Sequence, residues 1–233
     1  MSNLSVRVRF ARRMAAGDAS LRLYAILDSE SCERRSLDLM DVVRAWRDAG
    51  VCLLQLRDKH GSDDDVLRLA EQVATIFRTG DTFLLLNDRP YLVKRTGWDG
   101  VHIGQGDGGV PAAREQAGDD AVVGLSTHTP QQTEAAGRED VDYVACGPVF
   151  ATSTKLDASP VIGTCGLLAA RAMTGKPVVA IGGIDLQRAH SVRRSGAESV
   201  ALISALLPAQ GEAAFDTAKL LRQRARDFLR ALQ

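Results

Sequence analysis

Eight short apolar runs, each followed by a small or polar turn and then by a stretch of helical period, follow one another along almost the whole chain. The predicted strands are Leu21–Asp28, Val51–Lys59, Thr82–Asp88, Gly100–Asp107, Ala121–His128, Val141–Phe150, Pro177–Asp185 and Glu198–Leu206. Predicted helices between them include Leu37–Ala49 and Asp64–Arg78, and Glu212–Leu232 is the longest. Strands that alternate with helices make parallel βαβ units. The runs LLQL, FLLL and VVAI are close to continuously apolar, as strands must be when helices cover both faces of their sheet. Eight such units in roughly 210 residues predict an α/β chain forming a single (β/α)8 TIM barrel over 21–233, with 1–20 as an N-terminal extension. An open doubly wound sheet would have fewer units and a glycine-rich fingerprint after its first strand, where this chain has Asp28-Ser29-Glu30-Ser31.

Charge narrows the partners. Lys plus Arg is 29 and Asp plus Glu is 29. A net charge of zero excludes the diffuse basic field of a nonspecific nucleic-acid binder, so any anion site must be local. No apolar run approaches the roughly 20 residues of a membrane-spanning helix. Cys32, Cys52, Cys146 and Cys165 form no CxxC pair, which points to free thiols in a reducing, cytoplasmic setting. The start carries Arg7, Arg9, Arg12 and Arg13 without an apolar h-region, and so is not a secretory signal. It reads as a frayed extension, with a short organellar presequence as the alternative.

In barrels of this kind, chemistry collects at the C-terminal ends of the strands. By alternation, Gln55, Arg57 and Lys59 share one face at the end of strand 2; the competing reading is a structural ion pair with Asp58. Strands 3 and 4 end on Asn87-Asp88 and Gly104-Gln105-Gly106-Asp107, so neighbouring strands each present a carboxylate. Two carboxylates suit Mg²⁺, which fills its octahedron with water and substrate phosphate oxygens; alternatively each Asp caps the next helix. Ser126 shares a face with Gly124 and His128. His102 and His128 raise zinc as a thought, but no third ligand recurs at a suitable spacing.

After strand 6 comes a long loop with Thr152, Thr154 and Lys155, whose hydroxyls and cation suit a phosphate; a disordered polar loop is the plainer reading. Gly182-Gly183 after strand 7 and Ser204 after strand 8 fall where this fold recurrently binds phosphate. Two anionic ends on opposite sides of one mouth imply two phosphorylated groups.

These residues, in this order, resemble the thiamine phosphate synthase family over roughly residues 21–207. The carrying motifs are QLRDK (55–59), LLLND (84–88), DGVHIGQGD (99–107), GLSTHT (124–129), DYVACGPVFATSTK (142–155), PVVAIGGI (177–184) and ALISAL (201–206). The resemblance implies a small barrel that joins hydroxymethylpyrimidine diphosphate to hydroxyethylthiazole phosphate with Mg²⁺ and releases pyrophosphate. It implies that Gln55, Arg57 and Lys59 meet the pyrimidine diphosphate, with Asn87 nearby, and that Asp88 and Asp107 are Mg²⁺ ligands. Ser126 would contact the pyrimidine and Lys155 its diphosphate. Arg57, Lys59, Lys155 and Ser126 would thus be the catalytic set. Thr152, Thr154, Gly183, Ile203 and Ser204 would hold the thiazole phosphate, beside Gly182. Ala151 departs from the family, which has Pro there. Two rivals remain: a thiazole tautomerase of the same superfamily, although Gly147 and Pro148 after strand 6 offer no titratable group, and a non-catalytic phosphate-binding barrel. Partners would be small molecules, with room for a homo-oligomer.

Overall fold

The computed structural model describes residues 4–77, 81–152, 160–209, 211–212 and 216–233. Eight parallel strands close into a barrel in chain order, β1 through β8, with β1 pairing β8. They are β1 Leu23–Asp28, β2 Leu53–Arg57, β3 Phe83–Asn87, β4 Gly100–Ile103, β5 Val122–Thr127, β6 Tyr143–Cys146, β7 Val178–Ile181 and β8 Ser199–Leu202. The helices are α1 Val6–Ala15, α2 Ser29–Glu33, α3 Leu39–Ala49, α4 Asp63–Ile76, α5 Val93–Thr96, α6 Gly109–Ala117, α7 Pro130–Gly137, α8 Gly163–Ala172, α9 Leu186–Arg194 and α10 Thr217–Ala231. The (β/α)8 barrel expected from the alternation is the fold observed. No helix among the described residues is long and apolar enough to cross a membrane.

The elements start where their chemistry lets them. Asp38 caps α3 by accepting from the N–H groups of Met40 and Asp41, and Ser62 with Asp65 forms a capping box at α4. The strands are shorter than the sequence predicts. Val141–Phe150 contracts to Tyr143–Cys146, and Glu198–Leu206 to Ser199–Leu202 followed by a 3₁₀ turn at Ser204–Leu206. At the C-terminal ends the residues lost from the strands, Gly147-Pro148 and Ile203-Ser204 among them, leave the ladder and line the mouth.

Apolar side chains separate into two layers, as alternation demands. Leu54, Leu56, Leu84, Leu86, Val101 and Val123 point outward against the helices. Tyr24, Ile26, Leu53, Phe83, Leu85, Val122, Tyr143 and Val179 fill the barrel interior.

The first residues depart from expectation, since they do not fray. Val6–Ala15 is a helix whose Phe10 and Met14, four residues apart and so on one face, are buried inside the N-terminal end of the barrel. Phe10 packs edge-on to Phe83 at 5.1 Å and also meets Tyr143 at 5.9 Å between centroids. Arg7 binds Asp140 and donates from Nε to Asp142 at 2.7 Å; Arg9 faces Asp99 at 3.5 Å; Arg13 donates to Asp18 at 2.7 Å. Three of the four arginines that suggest a solvated tail, Arg7, Arg9 and Arg13, pair with aspartates instead and help to hold α1 at the barrel floor.

Candidate functional site

At the C-terminal end of the barrel lies a cavity of about 790 Å³, within the range of small-molecule sites. Gln55, Arg57, Lys59, Asn87, Asp88, Asp107, Ser126, Thr152, Gly182, Gly183, Ile203 and Ser204 all line it. Thr154 and Lys155 lie outside the described residues.

Arg57 does not pair with Asp58, because neighbours on a strand point to opposite faces. Asp58 turns away and accepts from Ser29 Oγ at 3.0 Å and from the Gly61 N–H at 2.9 Å. The partner of Arg57 is Asp28, which the register of β1 and β2 sets opposite it. Asp28 is buried and also accepts from the Ser31 N–H at 3.0 Å, so its position is fixed from two sides. A buried carboxylate that holds one nitrogen of a guanidinium leaves the other donors of the fork for a ligand.

Neither Asp88 nor Asp107 caps a helix. Asp88 has a left-handed backbone, with φ 60°, and its carboxylate meets the Lys59 ammonium. Asp107 accepts from the Gly104 N–H at 2.7 Å, while α6 begins on Gly108 with no side-chain cap. The two carboxyls face each other within hydrogen-bonding reach. Burial raises the Asp107 pKa, and the adjacent Asp88 charge adds to the rise. Burial acts the same way on Asp88, but the Lys59 ammonium and the hydrogen bond from Asp107 outweigh it and hold that carboxyl below the usual range. Two carboxyls this close repel one another when both are charged, a repulsion that a bound cation would relieve.

Across the mouth the lining changes character. Gly182 and Gly183 have positive φ, 100° and 61°. A Cβ on Gly183 would sit 2.3 Å from the Ala151 carbonyl oxygen, so the loops after β6 and β7 touch only because that side chain is absent. Asp185 caps α9 by accepting from the Arg188 N–H. The α9 N-terminus thus carries a cap from its own chain, and the glycine turn and Ile203-Ser204 line the cavity beside it.

The thiols offer no nucleophile here. Burial pushes the Cys32 pKa up to about 12 and also raises that of Cys146. Tyr24, Arg35 and Arg224 line the cavity and escape the sequence reading, as does the pairing of Asp28 with Arg57. Asp28 was within reach of the alternation argument, since Tyr24, Ile26 and Asp28 share the inward face of β1. Arg35 comes from the segment after α2, where it donates to the Ser31 and Pro208 carbonyls at 2.9 and 2.8 Å. No pattern in the sequence marks it.

The model of the thiamine monophosphate synthase family matches residues 23–206. The chain belongs to that family. It is 41% identical over 221 residues to the thiamine-phosphate synthase of Koribacter versatilis, covering 94% of this chain and 99% of that one. It is 40% identical over 193 residues to the thiamine-phosphate synthase of Psychrobacter, covering 82% and 89%. Among solved structures, it is similar to a thiamine phosphate pyrophosphorylase from Pyrococcus furiosus, with TM-score 0.76, 27% identity, and coverage of 92% of this chain and 98% of that one.

Proposed function

We propose that the chain is a Mg²⁺-dependent transferase that joins hydroxymethylpyrimidine diphosphate to hydroxyethylthiazole phosphate, giving thiamine phosphate and pyrophosphate. Family membership supports a transferase of thiamine biosynthesis. One observation carries the reading of the site: a single cavity holds Arg57, Lys59, Asp88 and Asp107 on one side and Gly183 with Ser204 on the other. Such a cup receives two anionic ends, one of them charged enough to bring a metal.

Asp88 and Asp107 fit Mg²⁺ by the chemistry of the donors: two carboxyls facing each other, each with hard oxygens. Bound there, the ion would neutralise charge on the diphosphate oxygens. The carbon–oxygen bond between the pyrimidine methylene and the diphosphate breaks, and its electron pair leaves with pyrophosphate. The thiazole nitrogen then gives its lone pair to the methylene carbon. That nitrogen bears no proton, so no general base is required. Arg57, steadied by Asp28, and Lys59 meet the charge that grows on the leaving group, with Lys155 assigned there by resemblance. Ser126 and Gln55 hold the pyrimidine ring. Gly183, Ile203 and Ser204, with Thr152 and Thr154, hold the thiazole phosphate and so orient the attacking nitrogen. A cytoplasmic location and small heterocycles rather than nucleic acid as partners belong to the same reading, in keeping with the zero net charge.

The test is to mix the two phosphorylated heterocycles with the purified chain and Mg²⁺. Thiamine phosphate and pyrophosphate should appear in equal amounts. Failure to form either, or turnover of the thiazole isomers without pyrimidine, would overturn the proposal.

A further inference from the structure

A line of polar side chains crosses the barrel interior beneath the cavity. Gln55 Nε2 donates to Tyr24 Oη at 2.8 Å. Tyr24 Oη meets Tyr143 Oη at 2.9 Å, and Tyr143 Oη meets His102 Nδ1 at 3.0 Å. His102 Nε2 meets Ser126 Oγ at 2.9 Å. Gln55, Tyr24, Tyr143 and His102 are all buried, and Ser126 opens on the cavity. The imidazole and the Tyr143 ring lie nearly parallel, 15° apart with centroids at 5.5 Å. Tyr143 has its place because residue 124 is glycine: a Cβ there would lie 2.0 Å from the Tyr143 Cζ.

The protons along this line can be counted. Four hydrogen bonds need four protons. Each tyrosine supplies one, a neutral imidazole one, the serine one, and the glutamine amide one when its nitrogen faces the line. Once Gln55 donates, Tyr24 must give its proton to Tyr143, and Tyr143 gives its own to Nδ1. The histidine proton is then on Nε2 and goes to Ser126 Oγ. The serine proton is left over, at the end of the line, on the cavity. A doubly protonated ring would also donate to Tyr143 and turn the Tyr143 proton back onto Tyr24. The Tyr24 proton would then have no acceptor in the line, inside a fully buried interior where an unmade bond is costly. Burial also keeps both phenols protonated, since it pushes their pKa values up.

We propose that Tyr24, Tyr143 and His102 are positioning residues: through them the Gln55 amide fixes the direction in which Ser126 offers its hydroxyl proton to the pyrimidine ring. The inference rests on the activity proposed above for its substrate, and on the side-chain geometry alone for its mechanism. With this polarity the site presents a donor at Ser126 and retains the Gln55 carbonyl oxygen as an acceptor. That pairing matches a heterocycle edge that carries a ring nitrogen and an amine. Were the amide turned the other way, every proton would run toward Gln55 and Ser126 would present only lone pairs. The line thus makes two separate contacts with the substrate agree with each other.

The test reads nitrogen-15 shifts of the histidines in the full chain without ligand at neutral pH. His102 should show a protonated Nε2 and a bare Nδ1. A proton on Nδ1, or on both nitrogens, overturns the proposal. Gln55→Glu replaces the amide donor with an acceptor, which turns each proton of the line toward residue 55, so His102 should carry its proton on Nδ1 instead. A tautomer unmoved by this change overturns the role given to Gln55. Tyr143→Phe and Tyr24→Phe should each raise KM for the pyrimidine diphosphate by about five- to thirty-fold, with KM for the thiazole phosphate close to that of the unaltered chain. Equal rises in both KM values, or no rise in the first, would mean that the line only fills space. Should the unaltered chain form no thiamine phosphate, the activity reading fails by itself, and the tautomer of His102 still decides whether the line has this polarity.

Discussion

At the floor of the barrel, Phe10 and Met14 fill the space between the strands, and Arg7, Arg9 and Arg13 each meet an aspartate. At the mouth, the same strands end around an open cavity where Asp88 and Asp107 face each other. The floor satisfies its charges within the chain; the mouth, beside its Arg57–Asp28 and Lys59–Asp88 pairs, also sets two carboxyls together, where a ligand can satisfy them. This is the division between stability and function that the fold permits, because the two ends of a strand are separated by packed interior.

Four experiments would break or sharpen that contrast. The largest effect is expected at the floor. Phe10→Ala empties a fully buried site and should cost about 3–5 kcal/mol in urea unfolding, with kcat unchanged at temperatures where the variant is folded. A large loss of kcat in the folded variant would join the two ends and end the division. Next, Asp88→Ala and Lys155→Ala at saturating Mg²⁺ should each lower kcat by about 10²–10³, while the urea midpoint moves little. Near-unaltered kcat in both would remove these residues from the chemistry. Gly124→Ala lies between the ends. It crowds Tyr143 and should cost about 1–3 kcal/mol by overpacking, and unlike Phe10→Ala it should also raise the pyrimidine KM.

The smallest effect concerns acid. The Arg7 guanidinium hydrogen-bonds Asp140 and holds its carboxyl below the usual range. A depressed carboxylate adds stability above its unfolded pKa and loses it as pH falls through the folded value. Asp140 is well exposed, so solvent screens the pair, and Asp140→Asn should cost less than about 1 kcal/mol at neutral pH. Thermal melts should show that small difference at neutral pH and none once the acid range is passed. A difference that persists in acid would mean the asparagine acts through something other than charge.

Much of the fold was legible because parallel strands under helices must be apolar throughout, and eight such runs leave little choice of architecture. Strand-end residues were legible for a related reason: period-two alternation places Gln55, Arg57 and Lys59 on one face whatever the loops do. The same rule, applied to Asp58, would have excluded it as the partner of Arg57, and applied to β1 it would have offered Asp28. The first helix was not legible, because only Phe10 and Met14 mark its buried face and its arginines look like a solvated tail until the aspartates from distant segments are in place. The interior line was hidden for a different reason. Tyr24, Tyr143 and His102 each read as an ordinary core residue or a stray ligand, and only barrel closure brings β1, β4 and β6 across from one another.

The sealed floor has a consequence for traffic. Among the described residues, Phe10, Phe83, Tyr143 and Leu53 fill that end, so the cup opens at the C-terminal ends of the strands. Everything that enters must leave by the way it came. Whichever product lies nearer the rim has to depart first, and its lingering would hold the other inside.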